Sequence, residues 1–223
     1  MTAMPTMSAP GRTRSTRGRR APRPSGDDRE LAILGTAERL LAERSMSEIS
    51  IDDLARGAGI SRPTFYFYFP SKDAVLLALL DRVVEQAYAA SLISPEQLAT
   101  DPPRYWREAI ASCYETFRAH RSVALAAAQV RGTNREVRQL WATVMEAWTQ
   151  RTAEGIDAER DRGAAPPGLP ARELAIVLNS MNERVLYATL AGDGPAVPEP
   201  DAVDVLLTVW LNAIYQTTTP PPA

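Results

Sequence analysis

Apolar side chains in this chain recur at helical intervals of three and four. Leu31, Leu34, Leu40 and Leu41 predict a helix over about 27–44 with the leucines on its buried side. Val75, Leu76, Leu79, Val83 and Ala87 predict a longer helix, capped by Ser71. Asp101-Pro102-Pro103 opens another, since aspartate caps and proline is tolerated in a first turn. A long helix is predicted over about 133–162, stopped by Gly163 and the Pro166-Pro167-Gly168 loop. Two more are predicted over 171–190, ended by Gly192, Gly194 and Pro195, and over 201–216. Alternating runs bounded by turn residues are absent, so no strand is expected, and no internal repeat is found. The expected fold class is all-α.

The segment with the most chemistry lies between the first and the longer helix. Ser50-Ile51-Asp52-Asp53-Leu54-Ala55 reads as a helix start, with Ser50 as cap and Asp53 at the acidic position of a capping box. Gly57-Ala58-Gly59-Ile60 stops that helix, because glycine accepts the left-handed backbone of a tight turn. Ser61 caps the next helix, with Pro63 in its first turn. Two short helices joined by a glycine turn predict a helix-turn-helix, whose second helix lies in the DNA major groove. On that helix Phe65 and Phe69, four apart, are expected to pack inward. Arg62, Thr64, Tyr66 and Tyr68 are expected to meet phosphates or base edges, with Ser61 as a further phosphate donor. A purely structural cluster would explain the two phenylalanines. It would not explain two tyrosines beside Arg62 and Lys72.

Charge sharpens this reading. The net charge of the 223 residues is −2, yet residues 1–26 carry six arginines and no acid. Residues 27–84 sum to −3 and residues 85–223 to −5. An acidic helix-turn-helix has to attract DNA through a local face, here Arg56, Arg62 and Lys72, and through the arginine tail. The expected organisation is a disordered arginine-rich tail (1–25), a DNA-binding head (26–84), a larger helical body (85–216) and a short disordered tail (217–223). The first tail is either a flexible arm on DNA or a solvated segment with weak, nonspecific attraction. No apolar region follows its charges, so no secretory signal is expected. The longest aliphatic run, 74–80, is too short for a membrane span. Cys113 is the only cysteine, which fits a reducing cytoplasm.

Gly59-Ile60-Ser61-Arg62-Pro63-Thr64-Phe65-Tyr66 and Phe69-Pro70-Ser71-Lys72-Asp73 resemble the signature of TetR-family regulators. The similarity continues through 26–34, 156–166 and Met181-Asn182-Glu183-Arg184, and covers essentially 26–215. It implies a three-helix head joined by a fourth helix to a C-terminal body for ligand binding and dimerisation. It also implies that Lys72 clamps a phosphate, and that a tyrosine usually stands at Phe67, whose hydroxyl this chain lacks.

All four tryptophans fall in the body. Trp106, Ile110, Cys113 and Phe117 form one helical stripe, Trp141, Met145, Trp148 and Thr152 another. Asn179, Asn182, Glu183 and Leu186 share a face of a third helix. Such stripes suit an apolar pocket with a few orienting amides, but by themselves they fit a packed core better. The resemblance reverses that preference. It implies an elongated apolar pocket lined by these residues and Trp210, with Asn179 and Asn182 as orienting amides. Cys113 and Arg151 stand where the resemblance implies aromatics. That predicts a wider pocket with a cation at its mouth, and a more polar or carboxylate-bearing ligand.

The last two helices carry Leu174, Val177, Leu178, Val185 and Leu186, and Val203, Leu206, Leu207, Trp210 and Ile214, more than one pocket needs. The resemblance implies a four-helix homodimer interface and a palindromic double-stranded operator. An enzyme is not expected. Gly57-Ala58-Gly59 lacks the third glycine and preceding strand of a dinucleotide loop, and no nucleophile elbow or P-loop is present. His120 is the only histidine, expected at the surface or in a cap, and with Cys113 it cannot form a zinc site. Asp157, Glu159 and Asp161 alternate with arginines and read as a solvated face. Neither a metal nor a cofactor is expected. The reading is a cytoplasmic, ligand-responsive repressor released by a small hydrophobic effector, whose regulated gene the resemblance implies is a neighbouring monooxygenase. An architectural DNA binder and an activator remain alternatives.

Overall fold

A computed structural model describes residues 25–91 and 95–220. The arginine-rich segment 1–24 and the last residues, 221–223, lie outside the described residues. Ser25, at the end of the expected tail, caps the first helix, its Oγ accepting from Asp28 N–H while Asp28 Oδ2 accepts from Ser25 N–H. Among the described residues there are ten α-helices, one short 3-10 helix (Glu199–Asp201) and no strand, so the fold is all-α.

The head comprises α1 (Gly26–Leu41), α2 (Ile51–Gly57) and α3 (Arg62–Tyr68). Ile33, Leu34, Ala37, Ile49, Leu54, Phe65 and Phe69 are buried between them. Leu31 points outward, 50% exposed; Ile33 and Ala37 occupy the inner face instead. The α2–α3 turn is a Schellman closure around Gly59, at φ +68. Ile60 N–H bonds Ala55 C=O at 3.0 Å and Gly59 N–H bonds Arg56 C=O at 3.1 Å.

Helix α4 (Lys72–Ala90) starts in the head and ends in the body, with Val75, Leu76, Leu79, Val83 and Ala87 buried as their spacing predicts. It packs against α1, α6, α7 and α8. The body follows as α5 (Pro95–Thr100), α6 (Pro102–Ala119), α7 (Arg121–Val130), α8 (Arg135–Asp161), α9 (Ala171–Ala191) and α10 (Ala202–Tyr215). Residues 216–219 follow as bends, with Pro220 buried. One apolar cluster runs from Ile33 in the head to Tyr215 in the last helix. No helix among the described residues is long and apolar enough to cross a membrane.

His120 sits at the α6–α7 junction, and its ring does not cap a helix. Its Nδ1 lies 2.5 Å from Glu38 Oε1 on α1 and its Nε2 3.2 Å from Gln86 Oε1 on α4. The only histidine is therefore a polar tie between head, body and connecting helix.

Candidate functional site

Two regions carry chemistry: the outer face of α3 and a cavity in the body. On α3, burial of Phe65 and Phe69 turns Ser61, Arg62, Tyr66 and Phe67 to solvent, with Thr64 and Tyr68 half-buried. Ser61 Oγ accepts from Thr64 N–H and lies 2.8 Å from Thr64 Oγ1, so one hydroxyl hydrogen of that pair is left for another partner. Arg62 is held at 3.2 Å by Asp52 and donates toward Tyr66 Oη at 3.4 Å. Phe67 is 83% exposed, far more than any core residue and more than Tyr66 at 46%.

Lys72 is engaged within the chain. Its ammonium donates to the carbonyls of Met46 at 2.6 Å, Ser47 at 3.3 Å and Ile49 at 3.0 Å. Three acceptors match its three N–H groups, so Lys72 staples the loop before α2 to the start of α4. A phosphate could bond it only by displacing a carbonyl.

The cavity has a volume of about 590 Å³ and is lined from α4, α6, α7, α8, α9 and α10. Every side chain of the three stripes borders it, as do Arg151 and Trp210. Phe117, Trp141 and Trp148 meet edge to face, with centroids 5.9, 6.1 and 6.2 Å apart. The polar groups are few and oriented. Asn179 spends both amide hydrogens on Thr152 Oγ1 at 3.0 Å and Ala175 C=O at 2.9 Å, which leaves its carbonyl to accept. Asn182 Oδ1 accepts from Trp210 Nε1–H at 2.9 Å, which leaves its NH₂ to donate. Trp141 Nε1–H is buried with no acceptor among the described residues. Glu183 is paired with Arg131, whose guanidinium sits 5.5 Å from the Trp141 ring centre. Burial pushes the Cys113 thiol up to about 12, so it is an inert, space-making wall residue.

One end of the cavity is braced by a buried polar chain. Trp106 Nε1–H donates to Tyr215 Oη at 2.9 Å, and Tyr215 O–H donates to Glu159 Oε2 at 2.8 Å. Arg162 meets both Glu159 oxygens at 2.7 and 2.6 Å. Glu159 is 1% exposed, which corrects its reading as part of a solvated face. Its neighbours Asp157 and Asp161 are exposed, as that reading requires. Burial pushes the Tyr215 phenol upward, keeping it a neutral donor. Gly155 makes room for this corner: a Cβ there would lie 2.8 Å from Trp106 Cη2.

Two family descriptions match these two regions. Residues 33–79 match bacterial regulatory proteins of the tetR family, and residues 106–216 match the C-terminal domain of transcriptional regulator EthR. The HTH-type transcriptional regulator EthR of Mycobacterium tuberculosis is 56% identical over 211 residues, covering 94% of this chain and 98% of the relative. The chain is a TetR-family transcriptional regulator of the EthR type. EthR of Mycolicibacterium smegmatis is 48% identical over 211 residues, covering 95% of this chain and 97% of that one. A TetR-family regulator from Streptomyces coelicolor shares the fold, with a TM-score of 0.68 at 21% identity over 85% of this chain and 81% of that one. These relatives are regulators, not enzymes.

For this TetR-family chain, sequence reasoning found the cavity's tryptophan and asparagine walls but missed Ser91, Arg131, Ser180, Arg184 and Tyr187. No periodicity points to Ser91, which comes from the far end of α4. Arg131 lies just past α7, a helix the pattern did not mark. The apolar residues on α9 and α10 divide into two sets. Leu174, Leu178, Leu186, Leu206, Leu207, Trp210 and Ile214 are buried within one chain, whereas Ile176, Val177, Val205 and Val209 are exposed.

Proposed function

We propose that this regulator is a ligand-responsive repressor that binds a palindromic double-stranded operator as a homodimer and leaves it when a small hydrophobic effector fills the body cavity. The observation that carries the reading is the cavity itself. It is apolar, about 590 Å³, equipped with a few directed hydrogen-bonding groups, and bordered by Leu80 and Ser91 of the same helix that begins in the head. An effector there presses on α4, and α4 positions α3. For release, the effector must bind the spread-head conformation better than the operator-bound one.

Ser61, Arg62, Thr64, Tyr66 and Tyr68 are the proposed DNA contacts, with Lys72 acting through its charge and its staple. The dimer is supported by exposed Ile176 and Val177 on α9 and Val205 and Val209 on α10, apolar side chains that a second copy would cover. The regulated gene is proposed to be a neighbouring monooxygenase, on the resemblance alone, and the site of action the cytoplasm.

Fluorescence anisotropy of labelled DNA from upstream of the protein's own gene, across salt and with hydrophobic ligands added, tests the reading. Tight, salt-dependent binding that a ligand abolishes is expected. Binding that no ligand perturbs would leave a plain DNA-binding repressor. No preference over random DNA would remove operator recognition.

A further inference from the structure

Arg151 is the cavity's odd wall residue. It projects from α8 near the far end of α4, half-buried, with its guanidinium 5.3 Å from the Tyr88 ring centre. Nη2 donates to Ser91 C=O at 2.6 Å and Nη1 to Ser91 Oγ at 3.2 Å. Both acceptors are neutral. Among the described residues no carboxylate pairs with Arg151, whereas Arg131, the other half-buried arginine on the cavity wall, has Glu183. The cavity therefore carries an uncompensated positive charge beside an aromatic, apolar interior. Of the other free hydrogen-bonding groups, the Asn182 NH₂ and Trp141 N–H are donors awaiting acceptors, against one free acceptor, the Asn179 carbonyl.

We propose that the effector is an anionic amphiphile, an apolar chain ending in a carboxylate, and that Arg151 captures the carboxylate. This rests on the cavity being the effector site. A carboxylate accepts two charge-assisted hydrogen bonds from one guanidinium fork, a stronger and better-matched pair than a hydroxyl and a carbonyl offer. The consequence reaches the head, because Ser91 is the C-cap of α4. Its carbonyl is one of the last of that helix, and Arg151 is its partner. When the guanidinium turns to a ligand, that end of α4 loses its anchor to α8. Charge capture and loosening of the connecting helix are then one event.

Dodecanoate and methyl dodecanoate, which share a chain and differ in charge, are the probes. Each is titrated into the full-length protein, with tryptophan fluorescence as the readout. Wild type is expected to bind the acid about tenfold or more tightly than the ester, the size of a charge-assisted hydrogen-bond pair. Arg151→Gln is expected to bind the ester as wild type does, which also reports a folded cavity, and to lose the preference for the acid. Arg151→Lys keeps the charge without the fork and is expected to fall between. Equal affinity of wild type for acid and ester would overturn the anionic effector while leaving the sensor reading intact. A preference that survives Arg151→Gln would remove Arg151 as the capturing group. Failure of both compounds to bind wild type would count against the proposal and the effector cavity together.

Discussion

Phe67 holds a benzyl group in water on the exposed face of α3. An aromatic ring there suits apolar contact with a thymine methyl in the major groove. Phe67→Ala is expected to weaken operator binding by about 1 kcal/mol, while urea stability stays within about 0.5 kcal/mol of wild type. Unchanged anisotropy titrations would exclude Phe67 from the DNA contact. Tyr215 makes the opposite case, a polar group wholly inside. Tyr215→Phe leaves the Trp106 indole N–H without its acceptor and Glu159 without one donor, and is expected to destabilise the fold by about 1–3 kcal/mol in urea unfolding. At this scale the sequence was only half legible. Glu159 reads as solvated because its neighbours in sequence are charged, and the tyrosine that buries it lies 56 positions away. Lys72 likewise reads as a free cation because its carbonyl partners lie 23 to 26 positions upstream.

The helices were legible where their end signals are local. Ser25, Ser50, Ser61, Ser71 and Asp101 all cap through their own side chains, and those helices are well marked in the sequence. Helix α7 has no side-chain cap and its buried face is mostly alanine, and α5 is six residues long, so both signals are weak. The caps also predict a response to acid. Hydrogen bonds from Ser25, Ser45 and Ser50 hold the carboxyls of Asp28, Glu48 and Asp53 below the usual carboxylate range. A lowered folded-state value stabilises fully above the unfolded value of about 4 and is lost as pH falls through the lowered value. Circular dichroism should therefore show helix loss in the head below about pH 4, with a shallower acid dependence in Asp53→Asn. An identical acid profile for the two proteins would refute this role for the α2 capping box.

Across the whole molecule, head and body share a continuous core and a polar tie at His120, so a disturbance in the body has a mechanical route to α3. The proposed dimer surface is the exposed apolar strip on α9 and α10. Placing charge at its centre with Val177→Glu and Val209→Glu is expected to give monomers by sedimentation and to reduce operator affinity at least tenfold, since two half-sites would no longer be bound together. A dimer that survives both changes would move the interface elsewhere. Of the apolar residues that the sequence marked on these two helices, Val177 alone is among the four exposed ones. Periodicity identifies an apolar face, and α9 and α10 each need one for their own chain before any can be offered to a partner.

One corner of the cavity depends on a hydrogen atom where other residues carry carbon. Gly155 touches the Trp106 indole from behind, and a methyl group in its place would stand 2.8 Å from the ring. The indole would have to give way, and the open volume beside it is the cavity. Glycine becomes alanine through a single nucleotide change, so the range of molecules the cavity admits can be narrowed in one mutational step at a position outside its lining. Lineages can therefore reshape the cavity while every residue that lines it stays the same.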